Sequence, residues 1–280
     1  MTARTFRAAI DIGTDDAEIA EACGQFEGCP DIPGFKPSRH SIEVSRDGEG
    51  FLIKETGRKV REERALEILM RTIRWRLNRR ILDEFPDAAI FNAASLTRGG
   101  LRILLAGGRR TGKSILALKL MHAGLTFEGD HQVFVRPRGV IAFQRPIHIA
   151  QRALHFLPAF KPHFKGRAPI PDSQQSRIYS YDPVSNGWEW RVDEGPANLI
   201  FLLNANHGGA SSVRRTGSAR LVQELLRSAK LLRTSAKHQL SDVIALASGA
   251  EGFDLSHGDP DEAVRIILRL LDEIPSCTTP

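Results

Sequence analysis

Long apolar runs are missing from this 280-residue chain: no stretch approaches the ~18 consecutive apolar residues that a bilayer-crossing helix needs. The first residues, MTARTFRAAIDIGTDDAE, also lack the apolar core of a signal peptide, so a cytoplasmic location is expected. Cysteine is scarce. Cys23, Cys29 and Cys277 are an odd number in a long chain, which argues against a disulfide framework. The gap from Cys23 to Cys29 is wider than the usual spacing of about two to four residues between zinc ligands, and no second Cys or His pair at such spacing accompanies it. These thiols are expected to be buried or idle. There is no internal repeat and no low-complexity tract, and an apolar share of 41% is ordinary for a folded protein, so global disorder is not expected.

What is present begins with a charge imbalance. A net charge of +6 and pI near 9.5 favour anionic partners: a nucleotide, a phosphorylated product or an acidic peptide, with nucleic acid also compatible. The length suits one large domain or two. Residues 1–87 read as a small α/β unit. It has a strand over Thr5–Ile12, a short helix over Asp15–Gly24, a Pro/Gly connector over Gly28–Arg39, and two strands, Ser41–Ser45 and Phe51–Lys54, joined by a turn. Arg58–Leu82 has helical periodicity, with Leu66, Leu69, Met70, Ile73, Leu77 and Ile81 on one face. Nine Lys or Arg crowd the rest of that segment, and Glu62, Glu63 and Glu67 are spaced to pair with them, so a solvated basic face is the favoured reading over a nucleic-acid surface.

Residues 88–280 form the second unit, centred on Leu101–Gly124, LRILLAGGRRTGKSILALKLMHAG. The apolar strand Ile103–Ala106 runs into Gly107-Gly108-Arg109-Arg110-Thr111-Gly112-Lys113-Ser114, and an apolar helix follows at once. This is G-x-x-x-x-G-K-[ST], the phosphate-binding loop, in the strand-to-helix setting it requires. Gly107 and Gly112 let the backbone turn tightly and bring its N–H groups to phosphate oxygens. Lys113 brings a positive charge to the β and γ phosphates, Ser114 can place its hydroxyl on Mg²⁺, and the helix points its positive end at the anion. The four fixed positions would coincide by accident in on the order of one chain in a hundred of this length, so a site for ATP is expected.

The remaining elements are strands at Ala88–Leu96, Gly139–Phe143, Asn198–Leu203 and Phe253–Leu255, and helices over Ser218–Leu232, Ser241–Gly249 and Asp261–Leu271, the last capped near Asp259-Pro260. Ala159–Ser185 mixes proline, aromatic and polar residues without a period and reads as a long loop or lid.

Reaction type depends on what lies beyond the γ phosphate. The most apolar strand, Asn198–Leu203, ends in Asn204 with no carboxylate, unlike the usual plan of a Mg²⁺-holding aspartate there. Two short strands are read across Leu125–Val135, and Glu128 and Asp130 stand between them. If the first strand lies beside Leu101–Ala106, its end faces the same crevice as the loop, where a carboxylate accepts a proton or helps hold Mg²⁺. Lesser candidates are His131, Arg145, Arg109 and Arg110 within the loop, and Arg214 with Arg215.

The series Ile90-Phe91-Asn92-Ala93-Ala94, the loop, Gly124 to Asp130, Val140 to Ile147, Leu199 to Leu203 and Phe253-Asp254-Leu255 resembles the catalytic domain of the HPr kinase/phosphorylase family, in its divergent serine-kinase branch. The likeness covers roughly Ala88 to Leu271. It implies an α/β phosphate-loop fold related to phosphoenolpyruvate carboxykinase, with transfer of phosphate from ATP to a serine hydroxyl. In that family an aspartate acts as general base, and the position falls on Asp130; the second acid falls on His131 and the histidine before the loop on Asn92. Those departures weaken the phosphorylase direction, and without an E-x-R-G-x-G segment HPr itself is a poor substrate.

The expectation is therefore an ATP- and Mg²⁺-dependent kinase acting on a protein or peptide serine. Asp130 and Lys113 are its catalytic residues, Gly107–Ser114 its nucleotide cradle, and Ser114, Glu128 and Asp130 its metal-side groups. No membrane partner is expected and nucleic acid is disfavoured; a homo-oligomer is left open. The alternatives are a non-catalytic ATP-sensing module and a nucleic-acid-associated ATPase.

Overall fold

The computed structural model describes residues 2–4, 8–23, 38–55, 58–143, 146–166, 169–171, 177–229 and 236–274. The connector at 28–37, Cys29, Cys277 and Arg145 lie outside them. Among the described residues no helix is long and apolar enough to cross a membrane.

The chain opens with a five-stranded sheet in the order β1 (Thr2–Arg4), β2 (Ala8–Gly13), β3 (Ser38–Asp47), β4 (Gly50–Glu55) and β5 (Arg58–Glu63). Helix α1 (Ala17–Cys23) links β2 to β3, which pair in parallel, while the other neighbours are antiparallel. Asp16 begins α1 by accepting bonds from the amides of Glu18 and Ile19 at 3.0 and 3.1 Å, satisfying donors that a helix start leaves open. Alternate apolar residues of the strands, Ile42 and Val44, then Phe51 and Ile53, meet Ile19 and Cys23 of α1 in one core.

Leu69, Met70 and Ile73 of α2 (Leu66–Glu84) complete that core. The helix expected over Arg58–Leu82 is thus shorter at its start. Residues 58–63, with one apolar side chain among six, have no stripe to bury and instead pair with β4 as an edge strand, where charge is tolerated. Arg76 and Arg80 both bind Glu55 on β4, and Glu63 accepts from Thr72 at 2.8 Å.

The larger sheet carries the loop. Its six strands run in the order β16 (Ser212–Thr216), β17 (Glu251–His257), β15 (Leu199–Ala205), β8 (Leu101–Ala106), β7 (Ala93–Arg98) and β9 (Thr126–Gly129). β8, β15 and β17 are parallel, and β7 folds back on β8 through the turn at Gly99-Gly100. The strand expected over Ala88–Leu96 is in fact two: β6 (Ala89–Phe91) leaves this sheet to join β10 (Val133–Arg136) and β11 (Gly139–Ala142) in a separate one.

Apart from Arg102 and Asn204, β8 and β15 are apolar, because both faces are covered. Ile103 and Leu105, with Phe201 and Leu203, pack on α3 (Lys113–His122) and α6 (Pro260–Glu273); Leu104 and Ala106, with Ile200 and Leu202, pack on α4 (Ser218–Ser228) and α5 (Ala236–Gly249). Helix layers therefore flank this sheet on both sides. Asp259 caps α6, accepting from the Glu262 amide at 2.8 Å.

The described residues within 159–185 are more ordered than a loop. Two runs of 3-10 helix, Gln151–Phe156 and Pro158–Phe164, sit beside a small sheet in the order β12 (Ile147–Ala150), β14 (Arg177–Tyr181), β13 (Ile170–Pro171). Its aromatics form a local core: Phe160 and Phe164 are buried against Tyr181.

Cys23 tests the first core. Burial raises its thiol from 9.0 to about 11. The folded state keeps the proton through a pH window in which the unfolded chain loses it, so this group's contribution to stability falls as pH rises from about 9 to 11. In a Cys29→Ser, Cys277→Ser background, Cys23 should resist a thiol reagent at pH 8 and react fully on denaturation. Rapid native labelling would contradict the packing.

Candidate functional site

The C-terminal ends of β8, β15, β17 and β9 share one edge of the large sheet, as the registers Leu202↔Ala106, Leu203↔Leu255 and Ser95↔Gly129 require. At that edge the chain leaves β8 into Gly107 and re-enters helix at Lys113. Gly107 donates its amide to the Asn92 carbonyl at 3.4 Å, joining the loop's first residue to the start of β7. The loop's far end needs glycine. Gly112 has φ +83°, and a Cβ there would lie 2.7 Å from the ring of His257.

Lys113 is 9% exposed and folds back across the loop, donating to the carbonyls of Gly107, at 2.8 Å, and of Gly108. Burial holds its ammonium below the usual lysine range, and the nearby Asp130 charge opposes that shift. Arg109, Arg110 and Gly108 face solvent on the outside of the turn, Arg110 at φ +63°, a left-handed conformation uncommon for a side-chain-bearing residue. Thr111 turns its hydroxyl to the Gly108 carbonyl at 3.0 Å.

Asp130 arrives from the other side. After α3 the chain reverses through Gly124, with Gly124 donating to Met121 and Leu125 to Leu120, the paired bonds of a left-handed helix stop. β9 then runs back to the loop's edge, and Asp130 stands one residue past its end. There it is 2% exposed, accepting from the Ser114 hydroxyl at 2.6 Å and from the His131 amide at 2.8 Å. His131 takes φ +87°, another left-handed residue beside the carboxylate.

Glu128 is not brought to this point. The β7–β9 register passes from Ser95↔Gly129 to Leu96↔Phe127, leaving Glu128 with no opposite residue, so the strand bulges and re-aims its side chain. Its carboxylate takes a two-pronged bond from Arg102 at 2.8 and 2.9 Å and a third from the Ser95 hydroxyl at 2.5 Å. The metal-side role expected of Glu128 is therefore replaced by a buried structural ion pair. Arg102 also donates to the carbonyls of Asp193 and Pro196, tying the approach to β15 onto the sheet.

Arg214 and Arg215 are likewise engaged elsewhere, with Asp254 at 3.5 Å and Glu251 at 3.0 Å across the β16–β17 pair. The site contains one residue the motifs did not mark, His257. It is 5% exposed at the end of β17, with Nε2 2.6 Å from the Thr111 carbonyl and Nδ1 buried without a partner. No spacing signal links it to a loop so far away in sequence.

No protein-family model matches the chain. No curated protein matches it by sequence either. Among solved structures, the Hpr(Ser) kinase/phosphatase from Coxiella burnetii is similar at 13% identity and a TM-score of 0.32, over 66% of this chain and 92% of that one. At that level of likeness the reading of the site rests on its own geometry.

Three substitutions separate the roles just described. Glu128→Gln should lower unfolding free energy by about 3–5 kcal/mol, the usual cost of stranding one partner of a buried ion pair, measured by denaturant titration. Gly112→Ala should cost about 1–3 kcal/mol through its left-handed backbone and the His257 contact. Gly108→Ala, whose added Cβ meets nothing nearer than the Thr111 methyl at 3.9 Å, should change stability by less than about 0.5 kcal/mol.

Proposed function

We propose that this protein is an ATP- and Mg²⁺-dependent kinase that transfers the γ-phosphate to a hydroxyl, with a serine of a protein or peptide as acceptor. The observation that carries the reading is the 2.6 Å bond between Ser114, at the first turn of the helix that opens the loop, and the buried Asp130 carboxylate. It sets a proton acceptor at the mouth of a cradle whose motif suits a triphosphate.

In this reading the triphosphate lies along Gly107–Ser114, and Lys113 exchanges the Gly107 and Gly108 carbonyls for phosphate oxygens. That exchange favours binding, since the ammonium leaves neutral carbonyls for charged oxygens. The side chains present also suit Mg²⁺. A hydroxyl and a carboxylate are hard oxygen donors, and among the described residues no cluster of three or more metal-ligating side chains competes as an all-protein cage. Mg²⁺ prefers such a site, taking one or two protein oxygens and completing its shell with water and phosphate. When bound it would neutralise charge on the phosphates.

Asp130 has the protein's own chemical task. Its carboxylate takes the proton from the acceptor hydroxyl as the acceptor oxygen bonds to the γ-phosphorus. The bond from that phosphorus to the bridging oxygen breaks, and ADP leaves with the electron pair. The first 87 residues, which contain a hydrophobic core of their own, are read as a unit that selects the acceptor.

Purified protein with labelled ATP, Mg²⁺ and a serine-peptide library should show transfer detectable by phosphopeptide mass spectrometry. Lys113→Ala should weaken ATP binding about tenfold or more, and Asp130→Asn should lower kcat about 10²- to 10⁴-fold with little change in ATP affinity. Transfer undiminished in Asp130→Asn would remove the aspartate from the base role. Tight ATP binding with no transfer to any acceptor would favour the sensing module instead.

A further inference from the structure

His257 is separated from the loop by more than a hundred residues, yet its ring lies directly under it. The ring carbon nearest Gly112 would sit 2.7 Å from a Cβ at that position, and Nε2 is 2.6 Å from the Thr111 carbonyl oxygen. A carbonyl only accepts, so Nε2 must carry the hydrogen and donate it. Among the described residues Nδ1 is buried with no partner, so a second hydrogen there would leave a stranded N–H on a charged, desolvated ring. The arrangement defines one form of the side chain: neutral imidazole with hydrogen on Nε2.

What the bond does follows from the planarity of the peptide group. Thr111 and Gly112 share one peptide plane, and the described residues contain no cis peptide, so the Gly112 N–H points opposite to the Thr111 carbonyl. Fixing that carbonyl toward His257 turns the Gly112 N–H away from it. Gly112 is the residue whose left-handed backbone leaves this peptide most free to rotate. No backbone acceptor takes up the Gly112 amide among the described residues.

We propose that His257 is a positioning residue for the phosphate loop: by holding the Thr111 carbonyl, it aims the Gly112 amide into the cradle, where it is ready to donate to a phosphate oxygen of a bound nucleoside triphosphate. This inference rests on the nucleotide-binding reading for its ligand, although the orientation of the peptide exists without one. Its chemical logic is pre-organisation: the amide is aimed before the anion arrives, so binding does not have to order it. A Cβ at Gly112 would run into the His257 ring, so each position constrains what the other can be.

The test uses the full chain and two substitutions of similar size. His257→Gln places an amide N–H close to where Nε2 lies; His257→Met fills the same space with no donor. Both are first checked for folding by circular dichroism melting. With a fluorescent ATP analogue and Mg²⁺, the Met variant should bind about tenfold more weakly than wild type, and the Gln variant should return to within about threefold. Equal binding by the Met variant and wild type, or equal weakness in both variants, would overturn the proposal. A second measurement needs no nucleotide: ¹⁵N-histidine spectra of the wild-type protein should show His257 protonated at Nε2 and bare at Nδ1. The opposite tautomer would overturn the proposal even if ATP binds well. Failure of wild type to bind ATP, with the expected tautomer present, would remove the nucleotide and with it the ligand of Gly112, leaving only a structural bond.

Discussion

A hydroxyl-to-carboxylate bond of 2.6 Å, from Ser114 to Asp130, ties the helix after the glycine-rich loop to the end of β9. Its two ends lie on either side of α3, one at the helix's first turn and the other beyond the strand that follows it. They meet because the sheet brings the ends of β8 and β9 to one edge with β7 between them. The strand period makes this alignment sensitive: a slip of one residue in β9 would turn every side chain to the other face and carry Asp130 away from the loop. The apolar alternation that buries both faces of β8 and β15 is what holds the edge in place.

Two carboxylates two residues apart have acquired different tasks through their surroundings. Glu128 sits inside the sheet, where a charge without a partner would be costly, and among the described residues Arg102 and Ser95 supply the bonds to its carboxylate. Asp130 sits just past the strand, where among the described residues it accepts from one hydroxyl and one backbone amide and is in no salt bridge. A carboxylate without a guanidinium clamped to it remains available to accept a proton. The bulge at Glu128 is the local device that separates the two, since it breaks the alternation that would otherwise give both residues the same face.

Much of this was legible beforehand where the signal is local. The loop, the helix after it, the stop at Gly124, the double strand around the acidic pair and the cap at Asp259 all depend on residues within a few positions of one another. The misreadings have a common cause. Arg58–Glu63 reads as the start of the helix whose apolar stripe runs from Leu66 to Ile81, but a sheet edge offers its backbone partners that periodicity does not reveal. Residues 159–185 look irregular along the chain because their aromatic core forms between short, separated pieces. Ala88–Leu96 reads as one apolar run, yet it breaks at Asn92 so that its halves can serve two sheets.

By itself the sequence marked the glycine-rich turn between β8 and α3, the helix after it and the stop at Gly124, because those features depend on neighbouring residues and on glycine at set intervals. Only the tertiary structure decided who meets whom. Glu128 binds Arg102 from 26 residues away, and His257 meets Thr111 across 146. Such pairings follow from strand order and register, which are set by how whole elements pack together, and no short stretch of chain contains that information.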